Sequence, residues 1–300
     1  MRKTTILFLA FFLTALSSPN VSGESLQTKL IPAEAKWFIH IDIEKFAQTE
    51  LKQILEKISD NDMGREIMGI EKTTGINFFN DISAVTVIGM NHDNDEPVVA
   101  ISGSLDKSHL LGLLKEEESL DEINYGSFLI YNWDDDAYGV FAANNLLIIS
   151  ENRSGLEKVL DTFSGKGKNF SGSPLERQLR ALSKDTFLVA TAENVSELLN
   201  EDDDDFGALI LQKTKSAFFS ANEQNGKVKL QLDLQTDSPE TAANMESMVT
   251  GLKAFLFMND KIDPEWDIIK SLKVSAKDTT VLLEAQGSVE ELLNILMGKK

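Results

Sequence analysis

The sequence contains no cysteine among its 300 residues. This absence excludes disulfide bonds, thiol catalysis, a lipidated N-terminal cysteine, and zinc or iron–sulfur sites held by cysteine. An exported chain without disulfides depends on its hydrophobic core alone for stability. That property suits a bacterial periplasm better than the small disulfide-stapled scaffolds of other secreted proteins.

Basic residues are also few. The chain has 29 Lys and Arg against 48 Asp and Glu, which gives a formal net charge of -19. So large an excess of negative charge repels phosphate backbones and anionic membrane surfaces, and no stripe of Lys and Arg overcomes it. We therefore expect no nucleic-acid partner.

Long apolar runs are confined to the N-terminus. Arg2 and Lys3 precede an apolar stretch over residues 6–16, which is too short to span a bilayer, and small residues follow. This pattern predicts a signal peptide over residues 1–23, cleaved before Glu24. Cleavage after Ser17 and an uncleaved anchor are the alternatives. We expect an exported protein, periplasmic or extracellular, with no transmembrane segment in the mature chain.

The rest of the chain, 42% hydrophobic and 26% charged overall, has the composition of a folded protein. A first module is predicted over residues 24–165. It opens with an apolar strand, 37–43, that runs into a helix over 44–58 whose apolar stripe is Leu51, Ile54, Leu55 and Ile58. The remaining predicted elements are a hairpin (84–88 with 98–101), a helix capped by Asp106 that buries Leu110, Leu111, Leu113 and Leu114, three strands (128–133, 138–142, 146–149) and a helix ended by Gly165.

A stretch rich in Gly, Ser and Lys, residues 166–173, is predicted as a linker to a second module over residues 174–300. Ser173, Pro174 and Glu176 have the spacing of a capping box at a helix start. Both modules then follow the order strand, helix, hairpin, helix, hairpin, helix. We predict an α+β fold of two similar modules, each an antiparallel sheet covered on one face by helices, and interpret the repeat as an internal duplication; a single α+β domain is the alternative.

Histidine is rare, and His40, His92 and His109 are the three in the chain. His40 and Asp42 are two residues apart on a predicted strand, so they share a face and could hold a metal ion or move a proton. We favour a partly buried structural histidine at a sheet rim, because no His-Glu-x-x-His helix accompanies the pair.

Three acidic segments resemble cation-binding loops without meeting their requirements. Asn91, Asp93 and Asp95 alternate as at the start of a calcium loop, but Glu96 replaces the required Gly and Ser102 the required Glu. The turn Asp134–Asp136 fails in the same way, and the run Glu201–Asp205 is interpreted as a solvated loop. A metal site stays unknown, and no ligand is assigned.

Ser104 and Lys107 fit the Ser-x-x-Lys pattern of penicillin-recognising enzymes, but the companion Lys-Thr-Gly motif is absent. No Gly-x-Ser-x-Gly motif occurs, and Gly167-Lys168 lacks the flanking residues of a phosphate-binding loop. We therefore assign no catalytic residue, no cofactor-binding residue and no cofactor.

Met and Phe residues form a stripe over residues 245–257. Together these side chains make a soft, adaptable surface, which suits an interaction or lipid-contacting helix. Burial in the core is the interpretation we favour, because apolar helical stripes normally face a core.

The segment from Ile31-Pro32-Ala33-Glu34 through Trp37 to Asp42 is similar to the start of the mature region in uncharacterised exported proteins of planctomycete and verrucomicrobial type bacteria. Gly75-Ile76-Asn77 with Asp81-Ile82, and the strand 227–232 before Ser238-Pro239, also resemble that group. The resemblance implies bacterial export and an α+β fold. It implies no activity and supplies no site residues.

We predict a non-enzymatic exported protein that binds another macromolecule of the bacterial cell envelope, a protein or a polymer. Self-association is an alternative form of the same function. Two observations motivate this prediction. The sequence contains no group of residues typical of a catalytic site, and its repeated sheet–helix scaffold could bind a partner. Two other functions stay open: a periplasmic carrier of a hydrophobic ligand held between a sheet and its helices, and an envelope hydrolase with a dispersed carboxylate site.

Overall fold

Local capping and turn residues set the ends of many elements. The computed structural model describes residues 26–52, 69, 71–92, 96–115, 120–133, 136–198, 206–258 and 267–296. Asn152 accepts a hydrogen bond from the Gly155 amide at 3.0 Å and starts a helix. Asn225 and Gly226 both have positive φ, as a two-residue hairpin turn requires. The predicted signal peptide, residues 1–23, lies outside the described residues.

The elements are as follows. The strands are β1 Trp37–Asp42, β2 Ile82–Gly89, β3 Val98–Gly103, β4 Leu120–Tyr125, β5 Phe128–Trp133, β6 Ala137–Ala143, β7 Leu146–Ser150, β8 Thr186–Glu193, β9 Ser216–Gln224, β10 Lys227–Gln235, β11 Lys273–Lys277 and β12 Thr280–Ser288. The α-helices are α1 Ile43–Ala47, α2 Phe78–Asp81, α3 Lys107–Lys115, α4 Arg153–Phe163, α5 Pro174–Arg180, α6 Phe206–Leu211, α7 Pro239–Met258, α8 Asp267–Ser271 and α9 Val289–Leu296. Short 3₁₀ turns occupy Thr28–Leu30 and Val195–Leu198.

The chain divides into two compact units, one of residues 1–35 and 40–181 and the other of residues 36–39 and 182–300. The predicted linker therefore falls inside the first unit. The Ala33 amide donates to the Lys168 carbonyl at 2.8 Å, and Pro32 forms a β-bridge with Asn169. Because these bonds anchor the stretch, the chain passes to the second unit after Ala181 rather than after Ser173.

The sheet of the first unit has the order β1-β2-β3-β7-β6-β5-β4, with residues 40–42 as its part of β1, and its paired strands β2 to β7 are antiparallel. The stripe Leu156, Val159 and Leu160 of α4 is fully buried, at 0% exposure. Strand β2 is buried along all eight residues, so apolar groups cover both of its faces. This unit has a tightly packed core around α4 and the central strands.

Three predictions for the first unit need correction. The helix expected over 44–58 ends at Ala47, with Gln48 as its C-terminal cap, and residues 53–60 lie outside the described part. The leucines of α3 are half-buried, and no residue of this helix is buried. Strand β4 was not expected, because Asp121, Glu122 and Asn124 weaken its apolar alternation.

The sheet of the second unit has the order β8-β9-β10-β12-β11 and is antiparallel throughout. The Glu193 amide at the end of β8 donates to the Lys36 carbonyl at 2.7 Å. Leu234 and Val281 face Ala242 and Met245 of α7 in one apolar cluster. The helices of this unit thus cover the apolar face of its sheet.

The two units share one topology. The order β1-β2-β3-β7-β6 matches β8-β9-β10-β12-β11, and α4 and α9 follow the corresponding strands β7 and β12. The first unit differs by the additional edge strands β4 and β5. The protein is therefore an α+β fold of two similar antiparallel modules with helices; a common origin by duplication stays a prediction.

Candidate functional site

Helix α7, the longest described helix, carries the most unusual surface of the described residues. Ser238 precedes it and accepts a hydrogen bond from the Thr241 amide at 3.1 Å, and Pro239 occupies the first helical position. The helix has three charged residues in its 20 positions: Glu240, Glu246 and Lys253. Its last three turns are therefore almost free of charge.

The N-terminal half of α7 packs on the sheet. Ala242, Met245 and Val249 are buried, at 0%, 3% and 7% exposure, and their spacing places them on one side of the helix. The buried positions stop at Val249, since Leu252 and Leu256 are only half-buried. The predicted stripe thus belongs to the core over its first half only.

The C-terminal half of α7 exposes large apolar side chains. Met248 is 38% exposed, Phe255 55%, Phe257 38% and Met258 83%. Met248 and Phe255 are seven residues apart and lie on the same side of the helix. We name this region the apolar outer surface of α7; it consists of Met248, Gly251, Ala254, Phe255, Phe257 and Met258. The expectation that the Met and Phe stripe is core is wrong for this half.

The one charge in the second half of α7 is turned towards the protein. The Lys253 ammonium donates to the carbonyls of Lys270 and Leu272, at 2.9 and 2.6 Å. A Cβ at Gly251 would meet no atom within 4 Å, so the surface around it is open among the described residues. A partner that covers the apolar outer surface of α7 would not have to desolvate a charged group there.

A second exposed apolar residue of this unit lies on α6. Leu209 is 45% exposed, whereas its neighbour Ile210 packs against the cluster of Leu234, Ala242, Met245 and Val281. Monomeric soluble proteins seldom expose several large apolar side chains together, and such patches normally mark interaction sites. The exposed apolar residues of α7 therefore form a candidate interaction surface.

His40 and Asp42 are both buried in the core. His40 is 5% exposed, more deeply buried than expected, and its Nδ1 lies 2.9 Å from Thr86 Oγ1. Burial, together with a smaller effect of the nearby Lys45 charge, lowers the pKa of His40 to about 3. Asp42 accepts from the Lys45 amide at 2.9 Å and pairs with the Lys45 ammonium at 3.0 Å, so it caps α1.

The other histidines lie elsewhere. His109 is exposed on α3, where its amide donates to Asp106 at 3.0 Å, and its ring contacts Gly75. His92 lies in the loop after β2. Within the described ranges, no three His, Asp or Glu side chains come together in a way that could hold a metal ion. The three histidines are thus not gathered at one point of the described structure.

Most of the predicted acidic loops fall outside the described residues. These are Asp93 and Asp95, Asp134 and Asp135, and Glu201–Asp205. Asn91 and Asp136 are described and lie next to those gaps. The interpretation of these acidic loops therefore stays a prediction from the sequence.

Ser104 and Lys107 lie close together in the chain, and the structure gives each a contact of its own. Ser104 is exposed, and its amide donates to the Asp81 carbonyl at 2.6 Å. The Lys107 ammonium lies 5.4 Å from the centre of the Phe141 ring, a cation–π contact. A Ser-Asp-Asn triplet, a second motif of penicillin-recognising enzymes, occurs at residues 59–61 outside the described part. The positions of Ser104 and Lys107 fit a connection that joins β3 to α3.

No described helix is long and apolar enough to cross a membrane. Comparison with known proteins gives information on the fold. No protein-family model matches the chain, and no curated protein matches it.

Solved structures of TP0453, a Treponema protein, are similar in fold. Crystal form III has a TM-score of 0.54 at 11% identity and covers 93% of this chain and 100% of TP0453. Crystal form IV has a TM-score of 0.53 at 11% identity, with 92% and 97% covered, and crystal form I has 0.50 at 9%, with 93% and 98%. At this identity the likeness shows a common fold along almost the whole of both chains.

Proposed function

We propose that this chain is a non-enzymatic, exported binding protein of the bacterial cell envelope, and that it docks an envelope macromolecule on the apolar outer surface of α7. The observation that carries the proposal is the exposure of Met248, Phe255, Phe257 and Met258 on one helix. Three of these side chains are at least a third exposed, and Met258 is almost wholly so.

The energetics favour a partner with an apolar groove. Complete burial of a fully exposed Met or Phe side chain contributes about 1.5–3 kcal/mol. These four side chains are already partly buried, so the exposed area that remains could supply only a part of that amount from each. Met and Phe adapt their shape to a partner, and the helix that holds them is fixed to the sheet through Ala242, Met245 and Val249. Binding therefore requires little ordering of the docking helix.

Photo-cross-linking in the producing bacterium tests this proposal. A photoreactive amino acid at position 255 should give one discrete adduct with an envelope macromolecule. The same group at Asn244, an exposed polar position on the same helix, is the matched control and should give none. The adduct at position 255 should disappear when Met248 and Met258 are replaced by Gln in the same chain.

Two results would contradict the proposal. One is the absence of any adduct at position 255 in a correctly folded chain. The other is the same adduct pattern at positions 255 and 244, since that pattern would report collisions rather than docking.

A carrier of a hydrophobic ligand is the second candidate. On the apolar face of the second sheet, Leu188, Phe219, Leu230, Leu232 and Leu283 are half-buried rather than buried. Such a face could hold an apolar ligand against the helices. Native mass spectrometry of protein purified from a periplasm distinguishes the two functions. A lipid mass that is lost on denaturation supports the carrier, and an apo mass supports the docking protein.

Export is part of the proposal and rests on the N-terminal sequence. The same mass spectrum reports it directly, because cleavage before Glu24 removes the first 23 residues. A chain that keeps Met1 or Arg2 in the soluble fraction would contradict the predicted signal peptide. The hydrolase of the sequence analysis stays a prediction, and no arrangement of the described carboxylates favours it.

A further inference from the structure

β4 of the first unit and β11 of the second unit each lie at an end of a sheet. β4 pairs with β5 only, and β11 pairs with β12 only. Each reaches its partner through a two-residue turn, since Tyr125 pairs with Phe128 and Lys277 pairs with Thr280. An edge strand presents unpaired amides and carbonyls, so it can accept another strand unless its side chains prevent this.

The turns determine which backbone groups face outward. In an antiparallel pair, the residues that flank a two-residue turn exchange both hydrogen bonds, and the alternation continues from there. On β4, the amides and carbonyls of Leu120, Glu122 and Asn124 therefore point away from β5. On β11, those of Val274 and Ala276 point away from β12. Both edges thus offer alternate donors and acceptors at the same spacing.

The two edges carry opposite charge. Asp121 and Glu122 of β4 are exposed, and they stand opposite the uncharged Asn132 and Tyr131 of β5. Burial raises the pKa of the Tyr131 hydroxyl, and the Glu122 charge raises it further, so this carboxylate lies close to the ring.

On β11 the exposed charges are Lys273 and Lys277. Lys273 stands opposite Glu284, whereas Lys277 stands opposite Thr280. A basic edge strand is notable in a chain with a net charge of -19. Lysines on an edge strand normally repel a second copy of that same edge.

We propose that β4 of one molecule pairs with β11 of a second copy of this chain, edge to edge and antiparallel. The alignment that joins the outward groups of Glu122 and Asn124 to those of Ala276 and Val274 places Asp121 directly opposite Lys277. Two copies of β4 would instead set carboxylates against each other, and two copies of β11 would set ammonium groups against each other. The contact is head-to-tail, because different edges of the two copies meet.

Charge reversal at the two edges tests the pairing. The variant Asp121→Lys with Glu122→Lys should weaken self-association at least about tenfold, because the cross-strand attraction becomes repulsion. Lys273→Glu with Lys277→Glu should weaken it to a similar degree. An equimolar mixture of the two variants should restore association, since each then offers an edge that complements the other. Analytical ultracentrifugation of the full chain, purified after its own processing, measures all three.

The acidic-edge variant separates local pairing from general charge. Exchange of two carboxylates for two lysines makes the chain less negative, so general repulsion between copies would decrease and association would strengthen. Local pairing predicts the opposite. Lys227→Glu with Lys229→Glu on the inner strand β10 is the matched control, because it changes the net charge as the β11 variant does and leaves both edges intact.

Several results would overturn the inference. A chain that remains monomeric up to several hundred micromolar has no such contact. Association that survives both edge variants, or a mixture that fails to restore it, also rejects β4–β11 pairing. Circular dichroism and thermal midpoints equal to those of the parent chain show that the variants are folded.

Discussion

His40 on β1 and Thr86 on β2 form a buried hydrogen bond of 2.9 Å between Nδ1 and Oγ1. His40 is 5% exposed and Thr86 4%, so the imidazole lies within the core of the first unit. Desolvation lowers the pKa of His40 to about 3, with a smaller contribution from the Lys45 charge. The folded protein therefore holds His40 neutral where an unfolded chain would protonate it.

This burial makes the stability of the protein depend on pH. The unfolded state binds a proton below about pH 6.5 and the folded state only near pH 3, so stability decreases as the pH falls through that window. Between pH 7.5 and 5.5 the loss due to His40 should be about 1.4 kcal/mol. Urea unfolding at both pH values should show a smaller loss for His40→Gln, which can still bond to Thr86. His109→Gln, at an exposed histidine, should behave as the parent does, and an equal pH response in all three proteins would contradict the prediction.

Asp42 should stabilise the fold through its cap on α1. Replacement by Ala removes the acceptor for the Lys45 amide and should cost about 1–2 kcal/mol in the free energy of unfolding. Asp42→Asn keeps a capping oxygen and should cost much less, because Lys45 is about a third exposed and regains water when its partner loses charge. Chemical denaturation measures both values. Equal losses would show that the ion pair, rather than the cap, carries the effect.

Two glycines should respond oppositely to replacement by Ala. A Cβ at Gly103 would lie 2.0 Å from the Asp81 carbonyl oxygen, so Gly103→Ala must shift backbone and should destabilise by about 1–3 kcal/mol or more. Gly251, inside α7, has open space at that position, and Gly251→Ala should stabilise by about 0.5–1 kcal/mol. Thermal unfolding of the two variants gives the signs. If Gly103→Ala stabilised the protein, the backbone at Asp81 and Ser104 would have to shift at little cost, which would contradict the prediction.

Leu156 and Leu209 test the core against the surface with the same residue type. Leu156 of α4 is 0% exposed, and Leu156→Ala should cost about 2–5 kcal/mol because it leaves a cavity. Leu209 is 45% exposed, and Leu209→Ala should change the free energy of unfolding by no more than about 0.5 kcal/mol. Urea titrations measure the loss in the free energy of unfolding for both variants. Similar losses at the two sites would mean that α6 is covered in solution.

Features set by neighbours in the chain were predictable from the sequence. The cap at Asp106 and the positive φ of Gly165 at the end of α4 both appear as expected. The cap of α5 was also predicted, because Ser173 accepts from the Glu176 amide at 3.3 Å. One detail differs: the Glu176 carboxylate accepts from Gly172 at 2.6 Å rather than from Ser173. Each of these features depends on a few consecutive residues.

Strand β4 and the boundary between the units were not predictable in the same way. The polar residues of β4 give little apolar alternation, and the strand forms because β5 supplies hydrogen-bond partners. Residues 166–173 have the composition of a linker, yet Lys168 and Asn169 bond to Ala33 and Pro32, more than 130 positions earlier. Composition reports local preference and carries no information on such distant contacts.

The candidate site on α7 was likewise predictable from the sequence only in part. By itself the sequence determined an α+β chain with a long Met- and Phe-rich helix, because apolar period and capping residues act over a few turns. Only the tertiary structure decided that Met245 and Val249 of that helix enter the core while Met248, Phe255 and Met258 face outward. Helical period fixes which residues share a side, but burial of that side requires another element to lie against it. In the described part of the chain, Val249 is the last residue of α7 that is fully buried in this way.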